Sequence, residues 1–295
     1  MLESVAQSVG NPLKTSVVSV ESWQFPWLWH GFSSRHGGIS TVYGQSNPAG
    51  DLNLGWTKDD DPERVKENRR RFTAMVTARP EDSGPDEPPP LITVRQIHSA
   101  ETLVFTQHSD KTAFVGPDGR ALLEADGLVT NVPGVLLGIQ TADCVPVLLV
   151  DPVRRAVGAF HAGWRGTVAR IVERGVATMQ REFGSRPADL LAAIGPSIGS
   201  CCYTVGEEVH QQFSQNFSYA GMLFRRAQLE PGAHTVDLWE ANRRQLLDAG
   251  LPADHISVLG ECTGCTGLPG PHKYFSHRME KGFTGRMMSA IGIAT

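Results

Sequence analysis

Short apolar runs alternate along this chain with stretches in which apolar side chains recur at helical spacing, the pattern of a mixed α/β fold rather than a purely parallel one. Strands are predicted over Thr102–Thr106, Val135–Gln140, Val145–Val150 and Ala156–Phe160. Asp61 followed by Pro62 starts a helix that VKENRRRFTAMVTA continues to a break at Pro80. From Thr167 to Phe183, Val168, Ile171, Val172, Val176 and Met179 share one face, and Gly184 supplies the stop. Asp237 with Glu240 three residues on reads as a capping box opening the helix LWEANRRQLLDAG. Between these elements PEDSGPDEPPP is acidic and proline-rich, so a surface insertion is expected there. No internal repeat is visible. Residues 1–20 read as a loosely ordered segment and 21–295 as a single domain of mixed β-sheets flanked by helices.

Composition changes this picture only by exclusion. The 295 residues are 40% hydrophobic and 20% charged, which is ordinary for a globular protein with one substantial core. A net charge of -4 offers no basic stripe for nucleic acid, and no apolar run has the length to span a bilayer. The first twenty residues lack the basic start and apolar block of a secretory signal, so the expected location is the cytoplasm. Five cysteines is an odd number: Cys144, the adjacent Cys201 and Cys202, and the Cys262/Cys265 pair resemble ligands, reactive thiols or small buried residues more than a disulfide framework.

The candidate chemistry starts with His98, Cys144 and His161, in VRQIHSA, QTADCVPVLLVD and VGAFHAGWRG. Each stands where a predicted strand meets a turn. Two imidazoles and a thiolate form the ligand set of a catalytic zinc site with one open position. Taken singly, a histidine after a strand is more often a hydrogen-bonded structural residue, and a cysteine among valines more often packs as a small hydrophobe. A turn at Asp151 and Pro152 would bring Cys144 and His161 to the same end only if both strands are long and slightly staggered.

HAGWRGTVARIVERG then runs from a strand through Gly163 and Gly166 into a helix start. One reading is an anion pocket beside the metal, with backbone N–H groups near Gly163 and the Arg165 guanidinium as donors. Equally, the glycines serve a sharp turn beside a solvated Arg165. FSSRHGGIS offers Arg35 as a second anion ligand and His36 as acid or base, although an Arg-His pair before a turn is commonly mere surface. Cys262 and Cys265 form a Cys-x-x-Cys with no second such pair, so a four-cysteine zinc site is not expected; a redox dithiol or two unrelated thiols remain.

Taken together, HGFSSRHGGIS, LNLG, VRQIHS, ADGLVTNVPGVLLGIQTADCVPVLL, AFHAGWRGTVARI, AIGPSIGSCCYTVGEEV, DLWEANRRQLLDAG and FSHR with GRMMSAIGI resemble the laccase-domain family from about His30 to the C-terminus. The TADCVP and HAGWRGT strings in this order carry the resemblance most specifically. Members have been labelled polyphenol oxidases and are now described as purine nucleoside phosphorylases. The resemblance implies a layered α/β domain and a zinc site of His98, Cys144 and His161, with copper as the alternative metal. The implied activity is phosphorolysis of adenosine, inosine and methylthioadenosine with some adenosine deamination, and the implied partners are a nucleoside and phosphate. The stretch TGLPGPHK, the histidine at His277 where an aromatic is frequent in the family, and the proline-rich insertion depart from the usual pattern, all in predicted loops.

Phosphorolysis would draw its phosphate ligands from Arg35, Arg165 and Gly163; deamination would need a carboxylate beside the metal, for which Asp143 is the local candidate. The His-x-Glu with Pro-Cys-x-x-Cys signature of cytidine-type zinc deaminases is missing. Three further readings stand beside these: a copper-dependent phenol oxidase, for which the His-x-His pairs are lacking; a hydrolase with Cys144 as nucleophile and His161 as base; and an amidase that edits cell-wall precursors with the same residues. Oligomeric state has no signature in the sequence.

Overall fold

In the computed structural model, which describes residues 16–44, 50–78, 88–227, 232–268 and 272–295, the apolar runs become two stacked sheets with helices on both outer faces. One sheet is ordered β1 (Val17–Val18), β2 (Leu28–Ser33), β15 (Met287–Ile293), β7 (Val135–Thr141) and β4 (Leu91–Thr93). The other is ordered β14 (Ile256–Val258), β10 (Leu191–Ile194), β8 (Val145–Asp151), β9 (Ala156–Ala162), β6 (Gly127–Thr130) and β5 (Thr102–Phe105). A small sheet of β11 (Thr204–Val205), β13 (His234–Val236) and β12 (Phe224–Arg226) stands apart, and β3 (His36–Ser40) bridges back to Asp51. Both large sheets mix parallel and antiparallel pairs.

Every residue of β8, β9 and β15 is buried, because each of these strands has cover on both faces. That double cover is why their sequences run apolar without alternation. Between the sheets, Leu148, Val150, Val157 and Ala159 meet Leu137, Ile139, Ile291 and Ile293. On the opposite face of the six-stranded sheet, Val145, Val147, Leu149 and Phe160 pack against Ile171, Val172, Val176 and Met179 of α4 (Ile171–Phe183) and against Ala241 and Leu246 of α7 (Leu238–Asp248). The far face of the five-stranded sheet gives Leu136, Met288 and Ala290 to Phe72 and Val76 of α1 (Pro62–Val76). Shorter helices, α2 (Lys111–Phe114), α3 (Trp164–Val168), α5 (Glu207–Asn216) and α6 (Ala220–Leu223), fill the periphery.

Most predicted elements stand where the pattern put them, and the departures have local causes. Asp61 caps α1 by accepting the Glu63 N–H, with Pro62 inside the first turn. The predicted helix Thr167–Phe183 is two helices, α3 and α4, broken at Arg170, whose backbone is left-handed at φ 64°. Tertiary contacts hold that break: the Arg170 guanidinium binds Glu173 at 2.6 Å and the Asn216 carbonyl at 2.9 Å, and lies over the Phe217 ring. Gly184 ends α4 in the left-handed conformation as expected. The capping box on α7 is half formed. Asp237 accepts the Glu240 N–H at 2.9 Å, but the Glu240 carboxylate turns to Arg243 and Arg244, and the Asp237 N–H goes to the Leu223 carbonyl.

Residues 80–87 of the proline-rich insertion, 269–271 of TGLPGPHK and 1–15 of the N-terminal segment lie outside the described residues. Val17 and Val18, within the segment expected to be loose, pair with Ser33 and Phe32. Among the described residues no helix is long and apolar enough to cross a membrane. Leu148 is fully buried between the sheets, so Leu148→Ala should lower the unfolding free energy by about 3 kcal/mol in a urea titration, the usual cost of a core leucine truncation.

Candidate active site

The register of the β8–β9 hairpin brings the first two candidate ligands together. Val145 pairs with Ala162 and Pro146 with His161 at one end, and Asp151 pairs with Ala156 at the turn. Cys144, one residue ahead of β8, therefore emerges beside His161. On the other side of β9, Gly127 pairs with Phe160, which sets Asp126 next to His161. His161 donates its backbone N–H to the Asp126 carbonyl at 2.7 Å and its Nδ1–H to Asp126 Oδ1 at 2.8 Å.

The same carboxylate positions His98. Asp126 accepts the backbone N–H groups of Ile97 at 3.2 Å, His98 at 3.0 Å and Ser99 at 2.6 Å, together with the Ser99 hydroxyl at 2.8 Å. These bonds tie down the connection between β4 and β5 with His98 in the left-handed region at φ 60°. His98 Nε2 then lies 3.9 Å from Cys144 Sγ, and the His98 and His161 rings meet edge to face at 4.9 Å. One ligand atom from each of the three residues lies within 4.8 Å of the others.

A tetrahedral zinc with bonds of about 2.0–2.3 Å would hold such atoms roughly 3.3–3.6 Å apart, so small side-chain adjustments suffice to close the site. The donor set also suits it. Asp126 fixes one ring nitrogen of His161 and leaves the other for the ion, the carboxylate–histidine arrangement typical of metal ligands. Burial grades from His161 in the interior through half-buried Cys144 to exposed His98.

Electrostatics within the trio favour charged forms. Burial works against ionising Cys144, but His161 and His98 outweigh it and hold its thiol down to about 6. Burial likewise opposes protonation of His161, and the adjacent sulfur and Asp126 overcome it and raise its affinity for the proton. Asp126 is pushed upward by burial, yet its bonds to His161 and Ser99 hold it down to about 2.

Two further residues show how tightly the backbone is drawn in. A Cβ on Gly163 would sit 3.0 Å from both Cys144 Sγ and His98 Cδ2, so a larger residue where α3 starts would press on both candidate ligands. Asp143 is strained at φ 90°. Its carboxylate accepts the Thr263 hydroxyl at 2.6 Å and the Arg278 N–H at 2.7 Å, and its carbonyl accepts the Ile198 N–H at 2.9 Å. Both carboxylate oxygens thus tie neighbouring loops.

The trio opens on a cavity of about 720 Å³. Its wall is cationic: Arg95, Arg120, Arg165, Arg278 and Arg286 line it, and Asp143 is the carboxylate among them. Several guanidiniums are stacked on aromatic rings, Arg165 over Trp164 at 4.3 Å, Arg278 over Tyr203 at 5.3 Å and Arg120 over Trp56 at 5.3 Å. Arg120 and Arg95 pair with Asp118 and Glu124; among the described residues no carboxylate pairs with Arg165, Arg278 or Arg286.

The sequence-predicted site residues thus divide. His98, Cys144, His161, Asp143 and Arg165 line the cavity, with Gly163 packed behind the ligands. Arg35 does not join them. It is buried against Asp51 at 2.8 Å and Glu280 at 3.2 Å, over the Phe275 ring, so its charge is already satisfied within the fold. Asp126 was missed, although an aspartate between Ala125 and Gly127 leading into the apolar strand LVT signals a buried carboxylate that needs donors. Sequence reasoning missed Arg278, Arg286 and Tyr203 because their elements meet only in three dimensions, and passed over Trp164 although it adjoins Arg165.

Comparison with known proteins places this geometry in company. Residues 29–294 match the model of the family described as multi-copper polyphenol oxidoreductase laccase. The purine nucleoside phosphorylase YlmD of Geobacillus stearothermophilus is 37% identical over 89% of this chain and 89% of its own. The adenosine deaminase RL5, from an unknown prokaryotic organism, is 34% identical over 77% of this chain and 84% of its own. The crystal structure of the Bacillus licheniformis hypothetical protein YfiH superposes with a TM-score of 0.80 at 34% identity, covering 94% of this chain and 96% of that one.

Because Asp126 is 0% exposed and satisfies donors from two segments, Asp126→Ala should cost roughly 3 kcal/mol or more in denaturant unfolding through the buried donors left unpaired. Its depressed pKa adds a pH signature. The carboxylate's contribution is complete above its ordinary value of 3.8 and is lost as pH falls toward about 2. Asp126→Asn should therefore flatten the acid limb of the stability curve relative to the unsubstituted protein.

Proposed function

The chain belongs to the laccase-domain family, and from that membership we propose that residues 21–295 form a zinc-dependent purine nucleoside phosphorylase acting on adenosine, inosine and methylthioadenosine. The observation that carries this reading is one cavity with two chemistries: a two-histidine, one-cysteine cluster and arginines without carboxylate partners, both on its lining. Phosphorolysis asks for both. Phosphate must be held against the anomeric carbon of the ribose while the purine departs with its bonding electrons.

On this reading Arg165, Arg278 and Arg286 bind the phosphate. Guanidinium groups match its oxygens through paired hydrogen bonds, and stacking on Trp164 and Tyr203 fixes two of them before the ligand arrives. Arg35 has no part in this. Leu238, Ile198 and the ring of Tyr203 offer apolar surface for the purine. When bound by His98, Cys144 and His161, zinc would supply a Lewis acid that stabilises developing negative charge on that part of the cavity lining. Asp126 orients His161 for that task, and Gly163 lets the ligands converge. Adenosine deamination, the activity named for one relative, is placed second, because the Asp143 carboxylate is occupied by Thr263 and Arg278 and would have to release one of them to act as a base. The substrates are small metabolites, which suits the cytoplasmic setting expected from the sequence.

A specific observation also favours one other reading. Cys144, His161 and Asp126 form a chain of thiol, imidazole and carboxylate with the thiol held down to about 6, the arrangement of a cysteine nucleophile with an oriented base. An acyl-directed thiol trap distinguishes the two: labelling of Cys144 with turnover in metal-free protein belongs to the hydrolase alone.

Purified protein should release free base from adenosine only when phosphate is present, and Cys144→Ala should lose the zinc equivalent held at the cavity and this activity together. Activity retained by Cys144→Ala protein that has lost that equivalent would refute the reading. Arg165→Ala should raise the KM for phosphate about tenfold, the equivalent of one lost charge-assisted contact, with a smaller change in the KM for the nucleoside.

A further inference from the structure

A second sulfur-rich site, outside the cavity lining, brings Cys262 and Cys265 together with two further cysteines, where the sequence led us to expect no four-cysteine zinc site. The turn after Gly199 carries Cys201 and Cys202 to the loop that follows β14, and one Sγ from each of Cys201, Cys202, Cys262 and Cys265 lies within 4.8 Å of the others. The Cys201 and Cys265 sulfurs are 3.6 Å apart.

The backbone around these sulfurs is built to admit them. The N–H groups of Gly199 and Gly264 donate to Cys262 Sγ at 3.2 and 3.4 Å, as backbone amides do around metal-bound thiolates. A Cβ on Gly264 would stand 2.9 Å from the Cys202 Cβ and 3.2 Å from its Sγ, so glycine is what lets Cys202 approach. Between the two loops, Ser197 donates its N–H to the Glu261 carbonyl and accepts the Thr263 N–H, which fixes the register of one pair against the other.

We propose that Cys201, Cys202, Cys262 and Cys265 bind one thiophilic divalent cation of the zinc type in a closed four-thiolate site, separate from the His98–Cys144–His161 cluster. Tetrahedral bonds of about 2.3 Å place sulfurs about 3.8 Å apart, which is the spacing this cluster approaches. Binding would discharge the thiol protons to solvent, and the divalent ion would offset half the charge of the four thiolates so formed and hold them together against their mutual repulsion. With all four positions occupied by protein, the ion would have no vertex for a substrate. Its role would be to brace the cavity wall, since one loop carries Ile198 and Tyr203 and the other carries Thr263, which holds Asp143.

The test uses the full chain, purified and kept anaerobic, loaded with zinc or with cobalt(II). Cys144→Ala protein should retain about one equivalent of zinc, and Cys144→Ala/Cys265→Ser protein about a tenth of that or less. The cobalt form of Cys144→Ala should show the strong thiolate charge-transfer and visible bands of tetrahedral sulfur coordination, and the double variant should lose them. Circular dichroism checks that each variant is folded, and Cys201→Ser, at an exposed position, replaces Cys265→Ser if it is not. Zinc in Cys144→Ala no higher than in the double variant would overturn the proposal, as would a Cys201–Cys265 disulfide found by mass spectrometry in the anaerobic protein. Equal zinc in the unsubstituted protein and Cys144→Ala, with one equivalent in each, would instead overturn the metal reading of the cavity and leave this one standing.

Discussion

A carboxylate with no solvent contact must find its donors inside the protein, and Asp126 finds them on two segments that the chain would otherwise leave independent. The loop carrying Ile97, His98 and Ser99 gives it three backbone N–H groups and a hydroxyl, and the strand carrying His161 gives it a ring N–H. Satisfying one anion therefore sets the distance between two imidazoles. The cost is visible in the backbone. His98 is held in a left-handed conformation that a histidine seldom adopts, and the bonds to Asp126 are what keep it there. A site assembled in this way is preorganised: its ligands converge before any ion binds, and the flanking strands, buried on both faces, give them little room to relax.

The elements that carry these residues were legible because both faces of β8, β9 and β15 are covered, so their sequences read as unbroken apolar runs. The ligand trio was legible for a different reason: each member stands where apolar periodicity stops and a polar turn begins. What escaped was set by contacts between segments far apart in sequence. Arg35 and Arg165 both follow an apolar run and adjoin glycine turns, yet one is neutralised by Asp51 and Glu280 while the other stands on Trp164 at the cavity. No local pattern separates them. The break at Arg170 likewise depends on Glu173, Asn216 and Phe217, which a helical period cannot register. Cys201 and Cys202 precede Cys262 by some sixty residues, and it is the pairing of β10 with β14, continued by the Ser197–Cys262 bridge, that aligns the two loops.

Layering accounts for the placement of charge as well as of apolar groups. With both sheets buried between helices, the edges and loop ends are left to carry polar chemistry, and the cavity forms where ends of the two sheets come together. Three of its arginines lie over aromatic rings. Such stacking restricts a side chain that otherwise carries considerable rotamer entropy, so less is lost when an anion is bound. The cavity thus combines fixed cations with a candidate metal-binding trio graded from buried to exposed.

The two cysteine-containing clusters differ in a way that follows from coordination chemistry rather than from their distance to the cavity. Two nitrogens and one sulfur would leave a tetrahedral ion one position short, and of the three residues His98 is the exposed one. Four sulfurs leave none. An open set can exchange water for substrate, whereas a closed set can act only through the loops it joins. Those loops hold Thr263, Ile198 and Tyr203, and Thr263 in turn anchors the strained Asp143 immediately before Cys144. Mechanical support therefore runs from the closed cluster to the open one through a single aspartate: its carboxylate fastens to one loop, its carbonyl to the other, and its backbone delivers the cysteine.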